Sequence, residues 1–182
     1  MILLIDACAR EESRTRRIAN KVIDKLSDDV TVLNLYDEGL VPLDNDKLNF
    51  RDSAIAKADY SNDMFKYAKQ FRDADTIVFA APYWDLSFPS IVKCYIESLC
   101  VNGITFVYGE DGRPKGLCKA NKLIYVTTAG GFIQENDHGY GYIKDLANIL
   151  FGITDVSLIK AEGLDIRGAD IEGILKEVEE KI

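Results

Sequence analysis

The chain has 182 residues, within the roughly 100–200 of one domain, and is read as a single domain over residues 1–182. Hydrophobic residues at 47% and charged residues at 29% exclude wholesale disorder. The balance of 22 basic against 30 acidic residues leaves a net charge of −8, which argues against a nucleic-acid partner needing a basic surface. No polybasic segment suits an anionic membrane. No apolar run approaches the roughly 18–20 residues of a membrane span, and Asp6 halts the opening Met1–Ile5 run. A cytoplasmic location is therefore expected. Cys8, Cys94, Cys100 and Cys118 show no CxxC spacing and His138 is the sole histidine. That disfavours a zinc or iron–sulfur site, so no metal is expected, and it disfavours a Ser/His or Cys/His catalytic pair.

Strand-length apolar runs alternate with helical patterns. Ile2–Ile5 reads as a strand buried on both faces. From Thr15 the pattern turns helical, with Ile18, Val22, Ile23 and Leu26 on one stripe. Val30–Leu35 reads as a second strand. Tyr36–Asp52, with Gly39, Pro42 and many polar residues, reads as a long excursion. Ser53–Phe71 is expected to be helical, and Thr76–Ala81 is the third strand, ended by Pro82. Pro89 suits the first turn of a helix running to about Val101. Gly109–Gly112 marks a hairpin within Ile104–Lys119. Lys122–Thr128 is the fourth strand. A helix around Tyr142–Phe151, a strand at Asp155–Ile159 and a helix from about Ala169 complete the chain. This alternation indicates an α/β fold: a three-layer α/β/α sandwich on a five-stranded parallel sheet, for which the order 2-1-3-4-5 is favoured. Ligands bind such sheets beyond the carboxyl ends of the strands.

Three loops emerge at that edge. The first, Asp6 to Arg17, holds four arginines, two glutamates, Ser13 and Thr15 just before a helix start. Free N–H groups and the positive end of the dipole suit a terminal phosphate there; equally, Ser13 is an ordinary helix cap. The second, Ala81 to Pro89, is stiffened by two prolines and carries the only tryptophan, which suits a flat heteroaromatic ligand or an aromatic cluster closing the sheet. The third, Thr127-Thr128-Ala129-Gly130-Gly131, has paired glycines that allow close approach and positive φ, or a plain turn. Together they describe a phosphate-tailed flat ligand. FMN fits better than a dinucleotide, since GxGxxG is absent, as is the GxxxxGK[ST] of nucleotide triphosphatases.

Cys8-Ala9-Arg10-Glu11-Glu12-Ser13-Arg14-Thr15 resembles the S-x-R-x-x-S-x-[ST] phosphate motif of the flavodoxin-like NAD(P)H:quinone reductase and FMN-dependent azoreductase family. Pro82-Tyr83-Trp84-Asp85-Leu86 through Pro89 and Lys93, Asn102–Phe106, Thr127–Gly131, Phe151-Gly152-Ile153 and Ala161-Glu162-Gly163 resemble further segments of that family. The resemblance implies bound FMN, with its phosphate at Arg10, Ser13, Arg14 and Thr15. It places Pro82, Tyr83, Trp84, Asp85 and Leu86 beside the ring, and Thr127, Thr128, Ala129, Gly130 and Gly131 at the pyrimidine edge. It implies hydride transfer from NAD(P)H through FMN to a quinone, azo compound or similar small acceptor. It also implies a homodimer with the active site at the interface, for which Phe88, Tyr95, Phe106 and Tyr108 are candidate face residues. Cys8 stands where serine is usual and Asp85 where asparagine is common. No side-chain acid is required by this chemistry; His138 and Tyr140 are the candidates for a proton donor near the acceptor. A flavodoxin-type electron carrier is the alternative. A phosphorylatable receiver domain needs an aspartate ending the third strand, where Ala80-Ala81-Pro82 stands.

Overall fold

A computed structural model describes residues 1–135 and 137–182. The strands are β1 (Ile2–Asp6), β2 (Val30–Asn34), β3 (Thr76–Ala80), β4 (Phe106–Tyr108), β5 (Pro114–Gly116), β6 (Lys122–Thr128) and β7 (Asp155–Ala161). Five of them form a parallel sheet in the order β2-β1-β3-β6-β7, the 2-1-3-4-5 arrangement. β4 and β5 form the separate antiparallel hairpin expected around Gly109–Gly112.

The continuous apolar strands feed two cores, because side chains of a strand alternate between faces. Leu3, Ile5, Ile77, Phe79, Leu123 and Tyr125 face one layer. Ile2, Leu4, Val78, Ala80, Ile124 and Val126 face the other. The second layer holds α1 (Arg14–Leu26) and α6 (Ile171–Glu180), packed through Ile18, Ala19, Val22 and Leu175. The first holds α3 (Lys66–Asp73), α4 (Ser90–Leu99) and α5 (Tyr140–Leu146), and α5 continues into a π-helical turn over Ala147–Phe151.

Two expectations change. The excursion at Tyr36–Asp52 contains the start of α2 (Asn45–Ala56), whose Asp44 cap accepts from the Lys47 N–H at 2.9 Å. Only Ala54 of α2 is buried, so no apolar stripe announced it. The expected helix over Ser53–Phe71 is broken after Ala56. Ala58 takes φ +51°, and Asn62 then caps a 3₁₀ turn at Asp63–Phe65 that leads into α3. A residue in the left-handed region ends a right-handed helix. Of the aromatic residues considered for a subunit face, Tyr95 is 0% and Phe106 6% exposed, so both are core. Phe88 packs partly buried against the core, and Tyr108 alone is open, at 60%.

Candidate functional site

The β1–α1 loop begins at Asp6, a carboxylate buried at the end of β1. Its Oδ1 accepts from the Cys8 N–H at 2.8 Å, and its Oδ2 pairs with Arg16 Nε. The rest of the Arg16 guanidinium donates to loop carbonyls: Nη2 to Cys8 at 2.7 Å, and Nη1 to Arg10 and Glu11 at 2.8 Å each. Ser13 has extended backbone and caps α1, its hydroxyl accepting from the Arg16 N–H at 3.3 Å. The N–H groups of Arg14 and Thr15 remain without intrahelical partners, as at any helix start. No acidic residue occupies the first turn.

The four arginines of the loop are not one free anion site. Arg16 is engaged as described. Arg17 reaches across to Glu172 and Glu179 of α6, which hold its proton more firmly than usual. Arg14 pairs with Asp165 at 2.9 Å. Among the described residues, only Arg10 of the four forms no ion pair.

Beyond β3, Ala81 and Tyr83 donate to Val126 and Thr128 and so follow β6 outward. Trp84 and Ser87 exchange two backbone hydrogen bonds, at 3.0 and 2.8 Å, closing a tight turn. Asp85 and Leu86 occupy its tip at φ +51° and +65°. Both central residues at positive φ match a type I′ turn, which aspartate tolerates better than leucine does. The His138 N–H donates to Leu86 O and the Ser87 hydroxyl to His138 O, so this turn is clipped to the β6–α5 loop.

The β6 loop is tied to the loop after β7. Leu164 donates to Ala129 O, Asp165 to Gly130 O and Gly163 to Gly131 O. Neither Gly130 nor Gly131 uses the positive φ that glycine permits. A Cβ at Gly130 would meet the Asp165 carboxylate, whose exposed side chain would have to shift, whereas one at Gly131 would meet open space. Thr15 and Thr128 hydroxyls lie 2.6 Å apart, joining the start of α1 to the end of β6.

These loops enclose a cleft of about 250 Å³. Cys8, Arg10, Ser13, Arg14, Thr15, Pro82, Tyr83, Trp84, Thr128, Ala129 and Gly130, all candidates from the sequence, line it. Thr127 is buried within β6 and does not line the cleft, and Asp85, Leu86 and Gly131 are exposed outside the lining. His138 is exposed and Tyr140 gives its hydroxyl to Val156 O at 3.0 Å; neither lines the cleft. Ala9, Glu12, Leu164 and Asp165 line it without having been anticipated. The signal for the last two was topological: β7 neighbours β6, so its outgoing loop shares the edge. Burial pushes the Cys8 thiol up to about 12, so it stays protonated. Its Sγ lies 3.6 Å from Ala80 O, behind the loop.

The family model for a flavodoxin-like fold matches residues 1–182. An FMN-dependent NADH:quinone oxidoreductase 2 of Clostridium acetobutylicum is 39% identical, over 99% of this chain and 94% of the relative. An FMN-dependent NADH:quinone oxidoreductase of Caldicellulosiruptor bescii is 36% identical over 85% of this chain and 80% of its own. Among solved structures, an azoreductase from Bacillus anthracis superposes with a TM-score of 0.82 at 26% identity, covering 99% of this chain and 95% of that one. With the match spanning the whole chain and the parallel order in place, this protein belongs to the flavodoxin-like family of NADH:quinone oxidoreductases and azoreductases.

Proposed function

We propose that the protein is an FMN-dependent oxidoreductase that takes electrons from NADH or NADPH and reduces a quinone, azo compound or similar small acceptor. One observation carries this reading: a single cleft joins an anion-binding end to an aromatic end. At the first end, two free amides of α1, the Arg10 side chain and the Ser13 and Thr15 hydroxyls converge. A helix start of this kind favours an anion such as a phosphate. At the second, Pro82, Tyr83 and Trp84 offer a stiff backbone and flat faces, and Trp84 is 41% exposed. The names of the relatives point to the same cofactor and to NADH.

The residues fit FMN. Ser13 accepts from Arg16 N–H through a lone pair, which leaves its hydroxyl proton for a phosphate oxygen. Thr15 and Thr128 share one hydrogen bond, so one of the two hydroxyl protons remains to be donated. When bound, FMN supplies the two-electron chemistry between nicotinamide and acceptor. The chain binds and orients it: the loop and α1 hold the phosphate, while residues 82–84 and 128–130 fix the ring plane. No side chain of the chain is asked to be a nucleophile.

A cleft of about 250 Å³ is smaller than the roughly 300–1,000 Å³ of a site enclosing a whole drug-sized ligand. It suits the phosphate and polyol tail, with the ring lying over the open aromatic end. A second copy covering that face would complete the pocket, and a cytoplasmic homodimer is the assembly we propose. Exposed Trp84, Leu86 and Phe132 are available for such a cover.

The purified protein should show paired flavin absorption bands, by itself or after addition of FMN. NADH-driven reduction of menadione, measured over a grid of both concentrations, should give parallel double-reciprocal lines, because donor and acceptor use one face in turn. NADPH in place of NADH sets the nucleotide preference. Absence of flavin bands after FMN addition refutes the cofactor. Bound flavin without NADH oxidation refutes the enzyme and leaves an electron carrier.

A further inference from the structure

The loop that would receive the phosphate is shaped by one side chain that lies outside the cleft. Arg16 is not among the lining residues. Its guanidinium directs four hydrogen bonds to Asp6 and to the carbonyls of Cys8, Arg10 and Glu11, out of the five N–H groups an arginine has. No peptide bond here is cis. In a trans peptide the C=O and the following N–H point in opposite directions. Drawing the carbonyls of residues 8, 10 and 11 toward Arg16 therefore turns the N–H groups of Ala9, Glu11 and Glu12 away from it. Ala9 and Glu12 are cleft residues. The cleft thus gains amides for an anion at Ala9 and Glu12, where a relaxed loop would present a mixture of donors and acceptors.

We propose that Arg16, anchored on buried Asp6, is the positioning residue of the phosphate site: it touches no phosphate but orients the amides that do. This rests on the phosphate-binding reading given above. The geometry demands an arginine. A lysine ammonium carries the same charge at one point and cannot span a carboxylate and three carbonyls. Charge alone is therefore the competing explanation, and Arg16→Lys separates the two.

The test compares FMN with riboflavin, which lacks the phosphate, using flavin fluorescence on the full chain freed of flavin. In Arg16→Lys the FMN dissociation constant should rise at least tenfold, while that of riboflavin changes less than twofold. The double variant Asp6→Asn/Arg16→Gln replaces the buried ion pair by a neutral one and should lose FMN preference in the same way. Wild type offers a readout that needs no variant. On titration with inorganic phosphate, amide resonances of Ala9 and Glu12 should move, and that of Arg16 Nε–H should move less than either. A wild-type preference for FMN that survives in folded Arg16→Lys overturns the proposal, as does a largest shift at Arg16 Nε–H, which would make Arg16 a direct ligand. A wild-type protein that binds FMN no better than riboflavin overturns the phosphate reading itself.

Discussion

Ser13→Ala separates a helix cap from a ligand contact, because one hydroxyl is asked to be both. As a cap it accepts from Arg16 N–H at 3.3 Å, a long bond, so its loss belongs near the lower end of the usual range, at about 0.5–1 kcal/mol. For a chain of this length about 1 kcal/mol lowers the melting temperature by roughly 2–4 °C. As a phosphate donor its loss costs about 1.5–3 kcal/mol, since the acceptor is charged. At about 1.4 kcal/mol per factor of ten, FMN should then bind roughly ten- to a hundredfold more weakly. Riboflavin affinity, which needs no phosphate contact, should stay within about twofold of wild type. Thermal melts of the flavin-free protein read the first effect, and fluorescence titration with each flavin the second. A variant that melts lower but keeps its FMN affinity would show that Ser13 is a cap alone, and would refute the placement of the phosphate.

Further outcomes follow from other parts of the structure. Gly116→Ala should destabilise the fold by about 1–3 kcal/mol in urea unfolding, because its Cβ would run into the backbone of Phe151 and Gly152, which no rotamer change relieves. Gly131→Ala, with open space and no positive φ, should change stability by less than about 0.5 kcal/mol. Asp85→Asn should leave the flavin midpoint potential unchanged, since Asp85 is exposed at a turn tip outside the cleft and asparagine keeps the turn; a raised potential would put the carboxylate against the ring. Cys8 should resist iodoacetamide at pH 8, where burial keeps its thiol neutral up to about 12, and should react once the protein is unfolded and its acidity returns to the ordinary value. The same raised value means that whatever stability the neutral thiol contributes is present below its ordinary range near 9 and is lost as pH rises toward 12. Mass-spectrometric counting of modified cysteines across pH and denaturant checks both.

The sheet was legible because its inner strands are short apolar runs with punctuation at their ends: Asp6 closing β1, Pro82 beyond β3, Gly130 beyond β6. Its order followed from alternation with helices and from the rules for parallel sheets. α2 was not legible, because nothing in Asn45–Ala56 repeats at the period of a helix. Its cap, Asp44, was the only local mark, and aspartates are common in loops. The break at Ala58 carries no glycine or proline to announce it. In the cleft, residues at motif positions were found because their chemistry is local. What remained hidden was pairing. Nothing in the run Arg14-Thr15-Arg16-Arg17 says that its three arginines reach Asp165, Asp6 and α6, since two of those partners lie some 150 residues away. Asp165 itself has no motif, and its place follows only from β7 lying next to β6.

The lining of the cleft runs from Cys8 to Asp165, with contributions from the outgoing loops of β1, β3, β6 and β7. A growing chain therefore owns its phosphate loop early and its complete pocket very late. Until β7 has added to β6, the Gly130 loop lacks its partners at Gly163 to Asp165, and Arg14 lacks its carboxylate. A ligand that needs the whole cleft is a reporter of finished folding rather than a template for its first steps. Because it binds only the finished state, its effect on the equilibrium is one of mass action: at a free concentration a hundredfold above its dissociation constant it would stabilise the entire chain by about 2.7 kcal/mol. Cells short of such a ligand would then hold less of the native protein, not merely less of its activity.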